Sequence, residues 1–142
     1  MQTNLPNVFA AGDVASFPVA LLGGKKGTIR HWQIAQAHGR IAALNMLKQQ
    51  EALNTVPFFW TSLLGKSIRY TGCGEGYTDT VLRGDLDQRK FLLFYIREEY
   101  VAAVASLNMD PLVSMIAESM YAGKRISKAE ALAMPLDYQP PA

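Results

Sequence analysis

Gly12 and Asp13 are the residues of this chain best placed for chemistry. They close the stretch Thr-Asn-Leu-Pro-Asn-Val-Phe-Ala-Ala-Gly-Asp over 3–13. Pro6 and Asn7 make a turn, the apolar run 8–11 suits a short buried strand, and the glycine and the carboxylate end it. A glycine lets the backbone approach a ligand closely, and a carboxylate at the carboxyl end of a buried strand lies where open α/β sheets bind their ligands. An acid there is suited to accept hydrogen bonds from ribose or ribityl hydroxyls. No other constellation competes. His31, His38 and Cys73 lack metal-ligand spacing, and no nucleophile elbow, phosphate loop or zinc pattern occurs. Glu98 and Glu99 are adjacent, so a strand or turn points them in different directions and they make no acid–base pair.

The elements that follow must hold that turn in place. Residues 14–28 read as a loop or a small hairpin, with Phe17, Val19, Leu21 and Leu22 followed by Gly23, Gly24, two lysines and Gly27. A helix is predicted over 29–48, because Ile34, Ala37, His38, Ile41, Ala42 and Asn45 recur at helical spacing while Ala35, Ala43, Met46 and Leu47 widen the stripe. Gly39 inside it is less favourable than alanine by roughly 1 kcal/mol, which predicts that something approaches the backbone there. His38 lies on the interior stripe and reads as a hydrogen-bonded core histidine.

The 142 residues, 49% of them hydrophobic, suffice for one ordinary domain with a real core. A formal charge of +2 gives no general argument for nucleic acid or a membrane surface. The charge is uneven: no acid occurs between Asp13 and Glu51, where Lys25, Lys26, Arg30, Arg40 and Lys48 are all basic, either a field favouring a nearby phosphate or an ordinary solvated face. With Cys73 the only cysteine, neither an intrachain disulfide nor a redox pair is available, and an unpaired thiol fits an intracellular compartment. No run reaches membrane-spanning length, and no signal-peptide pattern opens the chain. No Gly-x-Gly-x-x-Gly fingerprint occurs, so a strand over 8–11 has no nucleotide site of its own.

A domain boundary is expected near the polar stretch 49–55 and Val56-Pro57, after which Phe58, Phe59 and Trp60 form an aromatic run. The remainder reads as a meander of about four strands. Strands over 66–71 and 77–83 flank a glycine-rich turn over 72–76, and Gly84 to Asp87 turn the chain again. Residues 91–97 are apolar at nearly every position, as expected of a central strand covered on both faces, and 100–107 follows the Glu98-Glu99 turn. The covering helix has Asp110 as its expected N-cap and Pro111 at its first helical position. Leu112, Val113, Ile116, Ala117, Met120 and Tyr121 form one apolar face, and Gly123 stops the helix. Ser127 with Glu130 predicts a capped short helix ending at Ala133, and the tail with Pro140 and Pro141 is expected to be extended or disordered.

Thr-x4-Val-Phe-Ala-x-Gly-Asp resembles the second flavin-binding motif of the two-dinucleotide flavoprotein reductases, in particular the apoptosis-inducing-factor-like and ferredoxin-reductase-like members and most of all the Rieske-linked apoptosis-inducing factor 3 type. Pro57-Phe58-Phe59-Trp60 resembles the segment where such reductases cross from the FAD domain into the C-terminal domain. The resemblance implies an α+β chain: the end of an FAD-binding α/β domain over 1–52, then a reductase C-terminal domain over 56–134, a small antiparallel sheet with a covering helix, then a tail over 135–142. It also implies a flavin site. Gly12 and Asp13 would contact the ribityl-pyrophosphate part of FAD, and Arg30 and His31 would lie near the ring with Trp32 beside them. Trp60 would make a flat wall. The helix after the Gly-Asp strand would aim its N-terminus at the ring, where free N–H groups and the positive dipole end stabilise electron density on a reduced flavin. Many members carry an acid where this chain has Arg30, a departure that bears on flavin recognition. Ordinary roles stand beside these: His31 bonded to a backbone carbonyl, Trp32 and Trp60 in packing.

The function implied is that of an FAD-dependent NAD(P)H oxidoreductase, in which hydride passes from NAD(P)H to FAD and single electrons go on to an acceptor such as a Rieske iron–sulfur domain. The chain is then expected to be the C-terminal piece of a larger flavoprotein. Its FAD site would be incomplete, its partners would be the N-terminal FAD and NAD domains, and it would have little activity alone. The resemblance implies a mitochondrial location, with the cytoplasm as alternative; no nucleic acid partner and no membrane span are expected. A second reading makes the chain a non-catalytic interaction or dimerisation domain, a homodimer for instance, using an apolar patch of Val8, Phe9, Phe58, Phe59 and Trp60.

Overall fold

The computed structural model describes residues 1–137, so the tail expected over 135–142, with Pro140 and Pro141, falls outside the described residues from 138 onward. The chain divides into two compact units, Met1–Pro57 and a second that begins at Phe58. In the first, helix α1 (Trp32–Met46) turns Ile34, His38 and Ala42 inward, one every fourth residue, which is the spacing that puts side chains on one helical face. Ala15, Phe17, Val19 and Pro57 are the other buried residues of this unit. Phe17 lies in strand β1 (Phe17–Pro18), which pairs antiparallel with β2 (Lys26–Gly27), so the segment 14–28 holds the small hairpin.

Two expectations for this unit are corrected. The run 8–11 is no buried strand: its one bridge joins Phe9 to Gln2, and Val8 is 45% exposed. Its backbone bonds reach only nearby chain among the described residues, with Thr3 N–H donating to Val8 O at 2.8 Å, Ala10 N–H to Met1 O at 3.1 Å and Val8 N–H to Leu5 O at 3.3 Å. A strand needs such a ladder along its whole length to satisfy its backbone. Gly39 meets open space as well, with nothing within 4 Å of where a Cβ would stand. α1 begins three residues later than expected because His31 is still extended, with φ −152° and ψ 134°. Its far end is closed by Asn45, whose Nδ2 donates to the carbonyls of Gln49 and Glu51, both at 3.0 Å.

The second unit is a five-stranded antiparallel sheet of β3 (Phe58–Leu63), β4 (Lys66–Gly72), β5 (Asp79–Asp85), β6 (Lys90–Arg97) and β7 (Tyr100–Leu107), in the order β3-β4-β7-β6-β5. The aromatic run is therefore itself an edge strand, a fifth beyond the four expected. Leu64-Gly65 and Glu98-Glu99 have positive φ at both positions, the two-residue turn whose twist matches that of the strands it joins.

Register separates the two faces. Phe58, Thr71, Val104, Phe94 and Val81 lie side by side across all five strands, and the last four are buried. On them pack Leu112, Val113 and Ile116 of helix α2 (Asp110–Tyr121) and Ala131 of helix α3 (Lys128–Ala133). One residue along, Phe59, Tyr70, Ala105, Leu93 and Leu82 form a parallel row on the opposite face, where Phe59 is 42% and Leu82 44% exposed. β6 therefore alternates between buried and half-buried residues and is not enclosed on both sides as its composition suggests.

Asp110 is not the N-cap either. It is the first helical residue after Met109 and makes no capping bond; its Oδ2 accepts from Arg69 Nη2 at 3.2 Å. Ser127 and Glu130 form the reciprocal capping box, and Arg83 donates from β5 to the carbonyls of Ala131 and Leu132 at the end of α3. Replacing Phe94, fully buried on the helix-covered face, by alanine is expected to destabilise the second unit by about 3–5 kcal/mol in urea denaturation, and Leu93→Ala on the open face by less than half of that.

Candidate functional site

Gly12 opens a single 3-10 turn, Gly12–Val14, at a φ of +81°, in the left-handed region that side chains avoid. Both its backbone groups are used. Its carbonyl accepts from Ala15 N–H at 3.0 Å, and its own N–H donates to His38 Nδ1 at 3.2 Å. A Cβ on Gly12 would stand 3.7 Å from that of Ala35, one turn before His38 on α1. The turn is thus seated on the N-terminal half of the helix. The carboxylate-bearing Asp13 follows at once and is exposed.

His38 is fully buried, its ring edge-on to Phe17 with centroids 4.4 Å apart. Accepting from Gly12 requires a lone pair on Nδ1, so the neutral ring carries its proton on Nε2, which has no hydrogen-bond partner among the described residues. Burial pushes the pKa below its ordinary 6.5. The sequence places His38 inside; its partner, an amide 26 residues away, is the functional contact that helical spacing does not disclose.

At the start of α1 stand Arg30, His31 and Trp32. Arg30 is exposed and Trp32 is 78% exposed, so the indole does not pack against this unit. His31 is the N-cap residue, and its side chain makes no capping bond, so no side-chain cap occupies the N–H groups of the first turn. The lysines and arginines of 14–50 are all exposed, a solvated basic surface. A cleft of about 1240 Å³ lies elsewhere in the unit, lined by Thr3, Ala10, Phe17, Asn45 and Lys48 among others, and includes none of Gly12, Asp13, Arg30, His31 and Trp32.

Trp60 belongs to the second unit, so among the expected site residues the structure joins Gly12 and Asp13 to α1 and leaves Trp60 on the edge strand β3. It is 49% exposed, lies opposite Arg69 of β4, and lines an open cleft of about 490 Å³ with Phe58, Arg69, Asp110, Pro111 and Ser114. Among the described residues no His, Cys, Asp and Glu group could hold a metal, and no helix is long and apolar enough to cross a membrane.

Residues 58–137 match the family described as reductase C-terminal. Apoptosis-inducing factor 3 of Mus musculus is 52% identical over 130 residues, which is 92% of this chain and 22% of that protein. The ferredoxin–NAD(+) reductase component of the biphenyl dioxygenase system of Paraburkholderia xenovorans (strain LB400) is 35% identical over 107 residues, covering 75% of this chain and 26% of the relative. Among solved structures, the covalent putidaredoxin reductase–putidaredoxin complex superposes with a TM-score of 0.78 at 26% identity, over 86% of this chain and 29% of that one. The chain thus spans about a quarter of the length of these relatives.

The buried imidazole has a pH signature. A folded-state pKa below 6.5 means that the unfolded chain takes up this proton first, so stability from the neutral ring is complete above pH 6.5 and is lost as the pH falls through the lowered value. The urea midpoint of the chain is expected to fall on acidification below pH 6.5, and less so in His38→Asn. An NMR titration of the ring should show its midpoint below 6.5.

Proposed function

Because the chain belongs to the reductase C-terminal family, we propose that it works as the C-terminal part of a longer FAD-dependent oxidoreductase fed by NAD(P)H, with Gly12, Asp13, Arg30, His31, Trp32 and Trp60 facing the flavin. The observation that carries this reading is the Gly12 turn: a left-handed glycine followed by an exposed carboxylate, seated on a helix whose first turn has no side-chain cap. Those features fit FAD. Asp13 is free to accept hydrogen bonds from ribityl hydroxyls, and the left-handed backbone at Gly12 carries no side chain to hinder a ligand at the turn. The N-terminal turn of α1 and Arg30 supply positive potential for a negatively charged ring. The exposed indoles of Trp32 and Trp60 are flat surfaces from which a planar ring excludes water. FAD, when bound, supplies hydride acceptance and one-electron release.

In this proposal 1–52 is the end of the FAD-binding domain, 56–134 the reductase C-terminal domain, and the partners are the FAD and NAD domains of the same protein and an iron–sulfur acceptor of the Rieske type. Electron transfer to a ferredoxin-like acceptor is supported by relatives that are named ferredoxin reductases. A mitochondrial location belongs to the same reading; a cytoplasmic pool on fractionation would contradict it. The isolated chain is expected to oxidise no NAD(P)H, because the nicotinamide site lies in other domains.

The open row of the sheet supports a second reading, an interaction surface for another protein or a second copy. Phe59 and Leu82 leave an apolar face exposed that soluble proteins ordinarily cover.

Two measurements follow. In the whole flavoprotein, Asp13→Ala is expected to raise the FAD dissociation constant by about tenfold or more, as for loss of a charged hydrogen bond, and Trp60→Phe to raise it less. FAD affinity untouched by Asp13→Ala would sink the site assignment. For the interaction reading, sedimentation of the chain should depend on concentration and lose that dependence in Phe59→Ser; monomeric behaviour throughout would exclude it.

A further inference from the structure

We propose that His38 is a positioning residue of the flavin site, whose Nδ1 fixes the Gly12–Asp13 turn and thereby the direction in which the Asp13 carboxylate is presented. The inference rests on the flavin reading above and goes beyond it, since His38 touches no ligand. Its basis is a chain of contacts. Phe17 is buried and packs edge-on against the imidazole at 4.4 Å, which restricts rotation of the ring. The ring accepts the Gly12 N–H at 3.2 Å from the buried face of α1. The Gly12 carbonyl in turn accepts from Ala15 N–H at 3.0 Å, so the peptide planes on both sides of Gly12 are held. Asp13 sits between those two anchors and itself lies in solvent. A glycine turn with neither anchor explores many conformations, because glycine resists neither sign of φ. A partly buried backbone N–H deprived of its acceptor is also costly, so the turn would move to find another.

The role is that of an acceptor at one point in space, which separates it from simple core filling. Asparagine carries an oxygen where the imidazole has Nδ1, two bonds from Cβ, and can accept the same N–H. Phenylalanine keeps a ring for Phe17 to pack against and removes the acceptor.

The test compares His38→Phe and His38→Asn with Asp13→Ala. In this chain, exchange of the Gly12 amide proton with solvent is read by NMR, with the Ala42 amide of α1 as the control for folding. In the whole flavoprotein, FAD affinity is read by fluorescence titration. His38→Phe is expected to speed Gly12 exchange and weaken FAD binding, each by about tenfold, with Ala42 still protected. His38→Asn should restore both to within about threefold of the parent. Unchanged Gly12 exchange in a folded His38→Phe chain would overturn the proposal. So would FAD affinity that falls in Asp13→Ala but holds in His38→Phe, an outcome that leaves the flavin reading standing. Affinity indifferent to both substitutions would remove the flavin reading and the proposal with it.

Discussion

The first unit turns on Gly12, where a φ of +81° reverses the chain just before the one exposed acid of the site. The segment that leads there, 1–11, is held by a bridge from Gln2 to Phe9, a few backbone bonds and the Met1 amino group, which donates to Asn45 Oδ1 on α1 at 2.8 Å. What replaces the missing ladder is α1: Ala35 supplies the surface on which the turn sits and His38 the acceptor for its N–H. A fully buried imidazole is an unusual choice, because a core position more often takes an apolar side chain. It is accounted for by the donor it satisfies. The helix thus has two duties, holding the turn with its buried face and opening its uncapped N-terminus toward the same end of the unit.

In the second unit the corresponding constraint is the period of two along each strand. One row across the sheet meets α2 and α3 and is sealed; the neighbouring row carries residues of similar character and is left half-open. The polar contacts serve to hold the helices on the first face. Arg69 reaches Asp110 at the start of α2, Arg83 reaches the end of α3, and Lys128 pairs with Asp79 at 2.6 Å. The glycine-rich turn between β4 and β5 is held in the same manner, with Tyr70 Oη accepting from Gly74 N–H at 3.0 Å and Arg97 Nη1 donating to Glu75 O at 2.7 Å.

Elements written in local signals were legible in the sequence. α1 shows through its apolar stripe, α3 through Ser127 and Glu130, and β7 through an apolar run bounded by turns, with boundaries off by a few residues at most where they moved. Features that depend on distant chain were not. β3 is an edge strand exposed along most of its length, so no alternation marks it. The apolar run 8–11 has the composition of a strand, yet a strand exists only where neighbours complete its ladder. β6 reads as enclosed because its outward row is apolar too, and composition does not tell a covered face from an open one. At the site, the glycine turn and the acid could be read directly. The contact that holds them, from His38 to Gly12, joins residues far apart in sequence, as does the pairing that takes Asp110 from its expected cap to Arg69.

The most direct test of the flavin site is a crystal structure of the whole protein with FAD bound. The Asp13 carboxylate is expected within about 2.6–3.2 Å of the ribityl hydroxyls, with the Gly12 turn beside the pyrophosphate and the N-terminal turn of α1 facing the ring. A flavin bound away from Gly12 and Asp13, with the Asp13 carboxylate in solvent or paired to protein, would contradict it.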